Sequence, residues 1–238
     1  MSYLMNGVVL DEYAESVVRN YLDGRKVQCV DIEDLIISYL GLTIVYESIA
    51  EEDLGKIGFI SDGQTPIWIS QRGVMVQKVY PESTIVIDQY LQQDNEKTRK
   101  RFTLAHEAGH YLMDCVQGRK QVSGFCQAFE PEKTYSPQEL ARQFSIAETN
   151  ADKLGAALLM PYFLVKQALE VWNKGKPIVV YGSGLIPYES RMQVRGMAYR
   201  LGVSYSALMI RLKWFGLIEH RDMNGFVQEE IKGRGYAK

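Results

Sequence analysis

The sequence predicts an α+β fold: a small, mostly antiparallel sheet, then a histidine-bearing helix, then a helical half. Three observations predict it. Short stretches rich in β-branched residues cluster between Leu42 and Asp88. Apolar residues at helical spacing flank that region on both sides. Strands and helices occupy separate parts of the chain instead of alternating, which is the α+β order.

Each element can be justified in turn. Asp11 to Leu22 places Tyr13, Ala14, Val17, Val18, Tyr21 and Leu22 at helical spacing. Asp31 reads as an N-cap with Asp34 three residues on, Leu35, Ile36, Tyr39 and Leu40 as the apolar face, and Gly41 as the stop. LTIVYESI, Leu42 to Ile49, reads as a strand. KIGFIS and PIWIS flank Asp62-Gly63, a hairpin signal. GVMVQKVY adds a strand, and STIVID, Ser83 to Asp88, is the last before a polar helix start near Asp94. Gly118 to Tyr135 carries little pattern. Ser136-Pro137-Gln138-Glu139 is a capping box with proline at the first helical position, predicting a helix to about Met160, where Pro161 stops it. Tyr162 to Asn173 is a further helix, VVY a short strand, and Glu189–Leu201 and Ser204–Phe215 are two helices joined by a tight turn at Gly202. The expected organisation is one domain over 1–220, with the helix-turn-helix-like part at about 188–218, and a loosely held polar tail over 221–238.

The totals bound the function. A chain of 238 residues, 46% hydrophobic and 24% charged, has an ordinary globular composition. A net charge of −2 lacks the basic footprint of a protein that coats nucleic acid. No run approaches the ~18 apolar residues of a membrane span, and the first residues do not read as a signal peptide. The three cysteines, Cys29, Cys115 and Cys126, make no C-x-x-C pair. The expected compartment is the reducing cytoplasm, without a disulfide framework. Cys115 reads as a buried or half-buried thiol, not as a ligand.

The chemistry gathers in RFTLAHEAGHYLM, Arg101 to Met113. On a helix, His106 and His110 share a face one turn apart and can both offer a ring nitrogen to one metal. Glu107 projects beside that site, where a general base belongs. A bare H-E-x-x-H is short and arises by chance, but here its flanks are apolar. Two histidines and an acid on a buried helix cost stability unless they are paired or bind a metal. A further ligand is sought in AETNADKLGAALLMP. Glu148 and Asp152 again stand four apart, among small residues. Glu148 suits a ligand, and Asp152 suits the acceptor that fixes a histidine tautomer. The alternative is a pair of solvated acids on an outer face. No oxyanion donor stands out; His220, Tyr111, Tyr135 and Tyr188 are candidates.

Together, R-F-T-L-A-H-E-A-G-H and E-T-N-A-D-K-L-G-A-A-L-L-M-P resemble the two motifs of the ImmA/IrrE family of metallo-endopeptidases. Gly155 stands where that family more often has alanine. The resemblance covers about Leu42 to Ile218. It implies a zincin-like core in which His106, His110 and Glu148 hold Zn2+ and Glu107 is the base. It also implies a protein substrate, a helix-turn-helix repressor or similar regulator encoded nearby, of a phage, mobile element or stress response. The rival reading is a non-catalytic regulator that works through its helix-turn-helix-like segment, by binding DNA or another protein. The overall acidity speaks against direct DNA binding. The basic run KTRKR, Lys97 to Arg101, reads as a solvated helix face, with phosphate binding as a weaker alternative. By analogy with zincins, STIVID is expected to receive an extended substrate by β-addition.

Overall fold

The computed structural model describes residues 6–52, 55–117, 124–127 and 146–227, with backbone alone at 117 and 124–127. The chain divides after Pro161 into two compact units, Met1–Pro161 and Tyr162–Lys238, inside the stretch taken above as one domain.

In the first unit, helix α1 (Gly7–Leu22) begins four residues before Asp11. Asn6 caps it, its side chain accepting from the Val8 N–H at 3.0 Å. The buried face of α1 holds Leu10, Ala14, Val17, Val18, Tyr21 and Leu22. Asp31 caps α2 (Ile32–Asp34) as the spacing predicts, accepting from the Asp34 N–H. The helix then widens over Leu35–Tyr39, where the Leu40 N–H reaches back to Leu35 O. Gly41, at φ +71°, turns the chain into β1 (Thr43–Glu47).

The main sheet adds β2 (Lys56–Ile60), β5 (Thr84–Asp88) and β6 (Gly124–Gln127), in the order β1-β5-β2-β6. β1 runs parallel to β5; the β5–β2 and β2–β6 pairings are antiparallel. Three expectations are corrected here. Asp62-Gly63 does not join a hairpin, because β2 pairs with β5 and β6. The Asp62 carboxylate instead accepts from the Gln64 and Thr65 N–H groups and closes a local turn. The hairpin lies further on, between β3 (Ile67–Gln71) and β4 (Val74–Lys78). Its two-residue loop is Arg72-Gly73, at φ +52° and +80°, the left-handed pair that a type I′ turn requires. Within Gly118–Tyr135, read as a patternless connection, residues 124–127 form β6; four residues are too few to show a period. STIVID is β5, an interior strand with both edges paired, so it has no free backbone for a substrate. A core of Phe59, Ile67, Ile69, Tyr80 and Val86, with Val45 and Val76 against it, sits between the main sheet and the hairpin.

After β5, two short 3-10 turns (Gln89–Gln92 and Asp94–Glu96) lead into α3 (Lys97–Gln117). The basic run at its start is neither simply solvated nor open for phosphate. Lys97 pairs with Asp94, Arg99 with Glu96 and Lys100 with Glu33. Arg101 donates to the Cys29 thiol and to Val30 O. Cys115, near the end of α3, is exposed, not buried as expected. The capping box at Ser136–Glu139 lies outside the described residues. Described again from Ile146, helix α4 (Ile146–Leu159) ends before Pro161.

The second unit holds α5 (Tyr162–Asn173), β7 (Ile178–Tyr181), α6 (Tyr188–Leu201), α7 (Tyr205–Trp214) and β8 (Ile218–Arg221). Gly202 takes φ +64° between α6 and α7, and Ser204 caps α7 by accepting from the Ala207 N–H. β8 pairs in parallel with β7. It holds residue 221 in register, and the Phe226 ring packs on Tyr181, so this part of the expected tail is anchored. Among the described residues, no single helix is long and apolar enough to cross a membrane.

Candidate metal centre

Helices α3 and α4 cross antiparallel at their smallest residues. A Cβ at Gly155 would lie 2.9 Å from His106 N and 3.0 Å from both Ala105 C and Ala105 O. A Cβ at Gly109 would lie 2.9 Å from Ala151 O. The two backbones are thus in direct contact beside His106, closer than any side chain would allow.

The crossing brings the sequence-predicted residues together. His106 Nε2 is 3.0 Å from His110 Nε2 and 3.2 Å from Glu148 Oε2. His110 Nε2 is 3.4 Å from Glu148 Oε1. Asp152 Oδ1 is 2.8 Å from His106 Nδ1. A carboxylate only accepts, so this bond puts the proton on Nδ1 and leaves Nε2 as a lone pair facing the cluster. His106 is buried, His110 and Glu148 are partly open, and the Asp152 side chain is 55% exposed. Asp152 therefore touches both the cluster and solvent.

Glu107 is fully buried, and neither carboxylate oxygen makes a protein hydrogen bond of ordinary geometry. It lies under β2. A Cβ at Gly58 would come within 3.4 Å of its Oε1, and within 2.7 Å of Thr103 Cγ2. Burial pushes the Glu107 pKa up from 4.5 to about 7; the charge of Glu148 adds to that, while His106, His110 and the nearby Ile60 amide pull the other way. Burial also acts to raise Glu148, but without a metal the ring N–H groups and positive charge of the two histidines, when protonated, win and hold it down at about 2.

Do these residues fit a metal ion? Ligands ~2.0–2.1 Å from a tetrahedral ion are about 3.4 Å apart. The separations of 3.0, 3.2 and 3.4 Å match that triangle, and His106, His110 and Glu148 form a group able to hold a metal. Two imidazole nitrogens and a carboxylate oxygen suit zinc, with a position left open. The convergence of these lone pairs is unfavourable without a proton or a cation among them.

Tyr111 interacts with Cys115 on the next turn, and Tyr135 lies outside the described residues. His220 and Tyr188 belong to the second unit. Sequence reasoning missed Gly58, although a glycine inside the strand K-I-G-F-I is the usual sign of a close approach.

Crossed helices that seat two imidazoles and a carboxylate beside a sealed acid, roofed by a small sheet, define a metallopeptidase-type protein. The family model for the IrrE N-terminal-like domain matches residues 37–213, and the chain belongs to that family, the ImmA/IrrE peptidases. No curated protein matches the chain at a significant level.

Proposed function

We propose that this chain is a zinc-dependent endopeptidase whose substrate is a protein regulator, a helix-turn-helix repressor encoded nearby. One observation carries the catalytic reading: Glu107 is buried without a hydrogen-bonded partner, next to the His106, His110 and Glu148 cluster. A structural metal site has no use for such an acid. His106, His110 and Glu148 would hold the ion, and Asp152 fixes the His106 ring through Nδ1. When bound, zinc supplies Lewis acidity and makes water acidic near neutral pH.

Glu107 then handles the proton. Its carboxylate takes a proton from the water that attacks the peptide carbonyl carbon, and it gives that proton to the amine nitrogen as the C–N bond breaks. The products are a carboxylate and an amine. An extended substrate suits β6, the outermost strand of the main sheet among the described residues and the neighbour of β2, which covers Glu107. The second unit supports a protein partner over DNA. α7 exposes Ile210 and Trp214 beside Lys213, an apolar surface that suits a protein better than a phosphate backbone.

The test is cleavage of the neighbouring repressor by wild type and by Glu107→Gln, with zinc content measured in both. The variant should keep zinc and cut nothing. Cleavage at the wild-type rate by the variant, or by zinc-free wild type, would refute the mechanism.

A further inference from the structure

We propose that β4 is a self-association edge: it pairs antiparallel with β4 of a second copy of this chain, about a two-fold axis at Gln77. The hydrogen bonds of the hairpin show which edge is open. On β3, Trp68 O accepts from the Ala50 N–H at 2.9 Å, and the Ser70 N–H donates to Ser48 O at 2.8 Å. Trp68 and Ser70 therefore face away from β4, and their partners in register, Gln77 and Met75, face away from β3. Among the described residues, nothing takes up the backbone N–H and C=O groups of Met75 and Gln77. Natural proteins block such an edge with a proline, an outward charge or a covering segment. β4 has no proline, and its one charged side chain, Lys78, is drawn aside to Glu47 at 2.7 Å and over the Tyr80 ring. Val74 is 62% exposed, Met75 55% and Val79 49%, so the edge is apolar as well as open.

The side-chain pattern selects the occupant. Strands that pair antiparallel need side chains that match in reversed order. With Gln77 on the axis, Met75 stands opposite Val79 of the second copy, and Gln77 stands opposite its own image. Apolar meets apolar, amide meets amide, and no like charges face each other. Arg72 and Glu82, both exposed, lie five residues to either side of Gln77, which would bring opposite charges to each end of the ladder. A second copy supplies all of these matches by symmetry. Two hairpins become one four-stranded sheet, past the size at which a lone hairpin is marginal. Pairing there also leaves the metal cluster uncovered. On β2, Gly58 faces Glu107, while the next residue, Phe59, packs with Ile67 and Ile69 of the hairpin. The hairpin and the metal cluster thus lie on opposite faces of the main sheet.

The experiment is sedimentation of the full chain from about 1 to 200 μM, a range suited to a small interface. It compares wild type, Gln77→Lys, Gln77→Glu and an equal mixture of the two variants. Wild type should move from the 27.1 kDa monomer toward twice that mass as concentration rises. Gln77 is exposed, so both variants should keep the wild-type thermal midpoint at low concentration. Each variant alone puts like charges on the axis and should associate at least about fivefold more weakly; the mixture puts opposite charges there and should recover wild-type association or better. Amide hydrogen exchange of wild type gives a second reading that needs no variant. Raising the concentration should slow the Met75 and Gln77 amides by more than those of Val74 and Val76, which β3 already holds. A monomer throughout the range would overturn the proposal. So would association that neither variant weakens, or that the mixture does not restore. Met75 and Gln77 amides that slow only when a protein substrate is added would assign the edge to that substrate in place of a second copy.

Discussion

Replacing Glu107 by Gln should make the metal-free protein more resistant to rising pH. Burial raises the carboxyl of Glu107 from 4.5 to about 7 in the folded state. A folded-state pKa above the unfolded value means that the folded chain holds the proton more tightly. The associated stability is whole below about pH 4.5 and is lost as pH rises through about 7. The gap between those values, at about 1.4 kcal/mol per pKa unit, corresponds to ~3 kcal/mol. Glutamine has no proton to lose at this position, so the variant escapes that loss. Its constant offset from wild type, from swapping a neutral acid for an amide, does not change with pH. The stability of Glu107→Gln relative to wild type should therefore grow by ~3 kcal/mol between pH 4 and pH 8. Urea unfolding in chelator at several pH values measures it directly. A difference that stays flat across that range would refute the burial argument. A difference that shrinks with pH would reverse its sign.

Further outcomes follow from the same geometry. Asp152→Ala should weaken zinc binding about 10–100-fold through the lost His106 tautomer lock, as read by chelator competition. Glu148→Ala should reduce it further, since it removes a ligand; full zinc occupancy in that variant would place the ligand elsewhere. Removing zinc from wild type should lower the thermal midpoint, and free zinc at about 100 times its dissociation constant should restore ~2.7 kcal/mol. Asp31→Ala should cost about 1 kcal/mol in urea unfolding, because it leaves the Asp34 N–H without its cap.

The candidate site was more legible than the sheet. The spacing of His106 and His110, and of Glu148 and Asp152, survives in the structure because a helix converts i, i+4 into a shared face whatever surrounds it. Strand pairing has no such local rule. Asp62-Gly63 carried the stronger hairpin signature, yet Arg72-Gly73 made the hairpin, because β2 is drawn between β5 and β6 by its buried Ile57, Phe59 and Ile60. β6 and β8 are four residues each, too short for a period, and become strands only through their partners. The crossing of α3 and α4 was hidden for a similar reason. Gly155 reads on its own as a weak helix residue, and only the opposing backbone shows how closely the two helices run there.

The pairing of Lys100 with Glu33, and of Arg101 with Cys29 and Val30, bears on how the protein can be cut down. The family match begins at residue 37, after these three partners and after the whole of α1. A chain trimmed to the matched residues would strip the cover that α1 lays on α4 and release the start of the histidine helix from its anchors. The folded unit therefore begins upstream of the recognisable domain, and residues 6–33 belong to it as fully as the motifs do.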